Sequence, residues 1–152
     1  MPETLFLVLL VVHVLAATTW VGGLIFFMVA VIPATRRAPD AGIPFLLGRA
    51  FRPAAWVALV TLLVTGPALL LLQGMGPALV KAAFWNSPFG LTLALKLTLI
   101  VAVLTLTLWH DIVLGPRAEA GIDTQAPRRV GRAIGLLSLA ILCAGILLSQ
   151  GL

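Results

Sequence analysis

A few side chains in otherwise apolar segments could do chemistry: His13, Lys96, His110, Asp111 and the thiol of Cys143. Ionisable groups at membrane depth are costly and mark functional positions. His13 heads a helical face of His13, Ala16, Ala17, Trp20, Gly23 and Phe27 at steps of three and four. On one reading the small residues clear space beside the imidazole while Trp20 and Phe27 supply flat walls. That arrangement suits haem b, for which neutral histidine is an axial ligand. On the other reading His13 bonds a carbonyl and the small residues serve helix contact. An ammonium at the depth of Lys96 costs about 2.5 kcal/mol or more. Three fates are open to it: snorkelling outward, pairing with an anionic ligand group, or losing its proton to become a second metal ligand. His110 ranks below His13 and Lys96 as a metal ligand. It follows Lys96 by about four helical turns, on the same face but roughly 21 Å away. With Asp111 it reads either as a polar interfacial pair or as the far end of a path. Cys143 reads as packing.

These groups need long apolar helices to hold them. The chain has 152 residues, 61% hydrophobic and 10% charged, with mean hydropathy +1.15. A soluble domain carries about 25% charged residues. This balance excludes a soluble enzyme, a disordered tail and a disulfide scaffold. It predicts an all-α integral membrane protein, a four-helix transmembrane bundle in one domain over 1–152. The expected spans are 4–34, 53–73, 88–114 and 132–151. Pro53 is expected to start the second span, Gly66-Pro67 to kink it, and Gly115-Pro116 to stop the third. The first apolar run, behind Pro2-Glu3-Thr4, is too long for a signal peptide and reads as a span.

The net charge is +5. Arg36, Arg37, Asp40, Arg49 and Arg52 fall in the first loop region. Arg117, Asp123, Arg128 and Arg129 fall in the third, with Arg132 at its edge. Positive residues mark cytoplasmic loops, so both termini are expected outside, in a bacterial-type inner membrane. The basic charge is thus spent on orientation and not on nucleic acid. His13, Lys96, Cys143 and Gly66-Pro67 then share one level in the outer half, about 12 Å below the surface. No internal repeat is evident. A stripe of Gly131, Gly135, Ser138, Leu142, Gly145 and Ser149 suits close helix packing. There is no HExxH, P-loop glycine pattern or Ser/His/Asp set, which argues against hydrolase and nucleotide chemistry.

The segment from His13 through Trp20 to Gly22-Gly23-Leu24 resembles the first-span signature of copper resistance protein D (CopD) domains. Arg49-Ala50-Phe51-Arg52, Thr65-Gly66, Phe89-Gly90-Leu91 and Leu95-Lys96-Leu97 follow in the same order. The His13-x6-Trp20 spacing and Lys96 also look like HemJ-type protoporphyrinogen oxidases. That likeness implies haem b held at His13 and Lys96. The arginine and histidine that follow in HemJ-type sequences are absent from Phe26–Pro33.

Two functions follow. One is a haem b-binding membrane protein with a redox or electron-transfer role, which would make it a haem-dependent oxidoreductase. The other is a copper-transport or copper-tolerance protein of the CopD type. Copper(I) prefers clustered thiolate and thioether ligands. One Cys, two His, Met28 and Met75 give no such cluster, so a copper site here would be transient or shared across a homodimer. Besides the bilayer, the expected partners are a second copy or a redox or transport protein. The orientation has a direct check. In a Cys143→Ser background, Ala41→Cys is expected to react with a membrane-impermeant maleimide only in inside-out vesicles; equal labelling of intact cells would reverse it.

Overall fold

The computed structural model describes residues 2–37, 43–120, 122 and 125–150. Asp40 and Asp123, which the sequence assigns to loops, lie outside the described residues. The architecture is all-α, and no strand occurs among the described residues. Four helical stretches are long and apolar enough to cross a bilayer: Glu3–Ala34, Leu46–Leu72, Pro88–Glu119 and Gln125–Ser149. They form two compact helical hairpins, residues 2–82 and 83–150.

In the first hairpin, α1 (Pro2–Phe26) runs through a π-turn (Phe27–Val31) into α2 (Ile32–Arg37). It packs on α3 (Ile43–Leu72). The short helices α4 (Gly76–Leu79) and α5 (Ala82–Trp85) follow. In the second hairpin, α6 (Pro88–Trp109) runs through another π-turn (His110–Leu114) into α7 (Gly115–Glu119), and packs on α8 (Gln125–Ser149).

Large apolar side chains such as Leu7, Val11, Leu15, Val57, Val64 and Val101 face outward, where lipid can solvate them. The buried set is rich in small residues: Ala16, Ala55, Ala58, Ser138 and Ala144. That is how membrane helices gain contact, since apolar surface alone gives them no preference for each other over lipid.

The π-turns have a common cause. Pro33 and Pro116 each stand two residues beyond a π-turn. Each lacks an N–H for the carbonyl four residues back, and its ring crowds that carbonyl. Widening the helix relieves the clash. Ile32 N–H reaches the Phe27 carbonyl, and Gly115 N–H reaches the His110 carbonyl, each five residues back. Gly115-Pro116 therefore widens the third span where the sequence predicts its end.

Other boundaries also move. The second spanning helix starts at Ile43, with Pro44 at its second position, and passes through both Pro53 and Pro67. The fourth starts at Gln125. Arg49, Arg52, Arg128, Arg129 and Arg132 thus stand on helix ends and not in loops. A proline near the start is the common rule here, and several prolines compete to be that one. At the far end of α3, Gly74 takes φ +75°. Met75 N–H bonds the Leu70 carbonyl and Gly74 N–H bonds that of Leu71, the paired bonds of a glycine-ended helix.

The geometry also exposes a repeat that the sequence conceals. The π-turns are offset by 83 positions, 27 to 110. The same offset, without a gap, superposes Pro33 on Pro116, Asp40 on Asp123, Pro44 on Pro127 and Gly48-Arg49-Ala50 on Gly131-Arg132-Ala133. It also pairs buried positions: Trp20 with Val103, Val31 with Leu114, and Ala55 with Ser138. Outside this inner stretch nearly every residue differs, so identity alone hides the correspondence.

Two glycines test the packing. At the start of α6, Ser87 Oγ accepts the Gly90 N–H at 3.1 Å, a helix N-cap. A Cβ on Gly90 would collide with the Phe84 carbonyl oxygen and lie 2.9 Å from Trp85 Cα. Gly131 has open space. Gly90→Ala is expected to lower the thermal midpoint in detergent by several degrees. Gly131→Ala should leave it level or raise it, since Ala favours the helix by about 0.5–1 kcal/mol. Circular dichroism melting reads both.

Candidate functional site

His13 is half-buried, and its Nδ1 lies 2.7 Å from Thr65 Oγ1 on α3. Thr65 is buried, with 5% of its surface exposed. Its hydroxyl donates its proton to the Thr61 carbonyl at 2.7 Å. A hydroxyl has one proton to give, so towards His13 it accepts. Nδ1 therefore carries the hydrogen, and in the neutral ring the Nε2 lone pair is the acceptor or ligand. Metal-binding histidines are fixed in this way, with the second ring nitrogen held by a hydrogen-bond acceptor. Gly66 completes the seat; a Cβ there would stand 3.6 Å from His13 Cε1, in ordinary contact.

The rest of the His13 face is a packing seam. Gly23 receives the ring of Phe51, which a Cβ would strike. Phe27 meets the same ring, with centroids 5.9 Å apart. With His13 at one end of the stripe and Gly23 and Phe27 at the other, all turned to α3, helical spacing puts Ala16, Ala17 and Trp20 on that side too. Ala16 and Trp20 are buried. Gly23 and Phe27 thus serve helix contact with Phe51, and the imidazole is the group on this face with ligand chemistry. In the sequence Thr65 stands out only as part of the Thr65-Gly66 pair that carries the family likeness, and not as a site residue. The signal was a polar residue beside Gly66, the position placed at the depth of His13.

Lys96 lies on the other hairpin, at the repeat position of His13. It is half-buried. Its Nζ lies against α8, where a Cβ on Gly145 would come within 3.4 Å. Lys96 and His13 thus each face a glycine of the partner helix in their own hairpin. His110 stays apart from Lys96 and pairs with its neighbour, Nδ1 lying 3.3 Å from Asp111 Oδ1. Cys143 is exposed. Among the described residues no group of three His, Cys, Asp or Glu side chains is placed to hold a metal ion.

The family model of copper resistance protein D matches residues 46–150, more than half of the sequence. The chain belongs to the CopD family. The match takes in Thr65, Lys96, His110 and Asp111, and begins after His13. No curated protein and no solved structure matches the chain.

The fixed tautomer makes a spectroscopic prediction. In ¹⁵N-histidine-labelled protein carrying His110→Phe, His13 should show a protonated Nδ1 and an unprotonated Nε2. Thr65→Val should mix the tautomers and cost about 1–3 kcal/mol, the penalty of an unsatisfied buried donor. Thr65→Ser should restore both.

Proposed function

We propose that this CopD-family membrane protein handles copper, as a transport or tolerance component with the metal ion as cargo. The reading is carried by family membership, supported by the His13–Thr65 bond, which leaves the lone pair of the neutral ring on Nε2. One imidazole gives copper(I) a weak foothold. Weak, sparsely ligated binding suits passage more than storage. A second ligand would come from a copy of the chain or from a delivering protein. The arginines flanking the helices support cytoplasmic first and third loops, which puts His13 in the outer half of an inner membrane, where an arriving ion is met first.

A second reading is haem b with His13 as axial ligand, in a redox or electron-transfer role. The same Nδ1–H bond favours it, because axial imidazoles are oriented by such bonds. The residues fit this group in part. The imidazole suits the iron, while Phe51 fills the space beside Gly23 that a macrocycle would need at that end of the stripe.

Two measurements separate the readings. Cells expressing the protein should differ in copper content from cells lacking it, and His13→Ala should abolish at least half of the difference; equal copper in all three defeats the copper reading. Purified protein incubated with haemin should show no Soret band; a band lost in His13→Ala and kept in His110→Ala would replace copper with haem.

A further inference from the structure

The second π-turn carries polar chemistry that the first shows the fold does not need. At the 83-residue offset, Thr107, His110 and Asp111 correspond to Leu24, Phe27 and Met28. The first hairpin builds the same five-residue turn, ending two residues before the same proline, from wholly apolar side chains. Neither the turn nor the helix end it leads into therefore requires an imidazole and a carboxylate.

Three observations give the polar set a use. Thr107 is 7% exposed. Its Oγ1 is buried and has no hydrogen-bond partner. The hydroxyls of Thr92, Thr98 and Thr105 on the same helix each bond the carbonyl four residues back; that of Thr107 does not. Thr107 precedes His110 by three residues and Asp111 by four, which puts all three on one helix face. Finally, His110 Nδ1 and Asp111 Oδ1 are 3.3 Å apart, longer than an ordinary N–H···O bond of about 2.7–3.2 Å. Two ligand atoms each about 2.1 Å from one ion, subtending roughly 105°, stand at this separation.

We propose that Thr107, His110 and Asp111 bind a divalent transition-metal ion at the inner end of the third span. The ligands are one imidazole nitrogen, one carboxylate oxygen and one hydroxyl oxygen, with water completing the shell. Nitrogen and oxygen donors of this kind select copper(II), nickel(II) or zinc(II), with copper(II) the tightest. The carboxylate supplies the local negative charge. This site stands independently of the reading of His13.

The molecule supplies its own control. Thr107→Leu, His110→Phe and Asp111→Met together install the residues that the first hairpin already tolerates. Tag-free full-length protein in detergent is titrated with copper(II) chloride and followed by electron paramagnetic resonance. His13→Ala is expected to bind one equivalent with coupling to a single imidazole nitrogen. The triple variant, with unchanged helical circular dichroism, is expected to lose that signal and bind at least tenfold more weakly. Asp111→Asn alone should weaken binding about tenfold. The proposal is overturned if the triple variant keeps the signal, or if His13→Ala shows none. Should the triple variant lose its helical signal, Asp111→Asn decides: unchanged affinity there overturns the proposal.

Discussion

A backbone crossing lipid must satisfy its own hydrogen bonds, because nothing around it will. That constraint bears hardest on proline, and this chain has ten prolines in 152 residues. The structure carries Pro53 and Pro67 through the interior of α3, and treats others in two ways. Pro44, Pro77 and Pro88 stand in the first turn of a helix, where a missing N–H leaves no gap. Pro33 and Pro116 fall where a long helix must continue, and there the helix widens into a π-turn. In the second hairpin that widening involves a polar residue directly, since His110 opens the turn and its carbonyl takes the long bond from Gly115.

The four apolar crossings were legible in composition, because hydropathy integrates over some twenty residues and tolerates local error. Their ends were not. Pro53 stood nearest the apolar run and looked like a first-turn proline, yet Pro44 occupies that place. Gly115-Pro116 had the form of a stop. A Gly-Pro pair is compatible both with a stop and with a widened turn through which the helix continues, so the pattern alone does not choose. The repeat was hidden for a related reason: lipid-facing positions accept any apolar residue, so only the turn, the prolines and Gly-Arg-Ala keep their identity.

The candidate site was legible as a residue and not as a surrounding. His13 stood out as a rare intramembrane titratable group. The small residues beside it supported two readings equally, because room for a ligand and room for a helix look the same in a sequence. Phe51, seated on Gly23, accounts for that one glycine by helix contact. The state of the imidazole needed the chain of bonds from Thr61 through Thr65, partners some fifty positions away in the sequence.

A π-turn is in effect one extra residue held inside a helix. Each α-helical residue advances the direction of its side chain by about 100° and its height by about 1.5 Å. The inner ends α2 and α7 are thereby out of phase with α1 and α6, so a periodic stripe followed down either long helix loses its bearing there. The tail beyond each turn can be re-aimed by removing a single codon, with the lipid-facing pattern above it left intact. Single-residue length changes at 27–31 and 110–114 are thus the smallest heritable steps that would rotate the short helices beyond the turns.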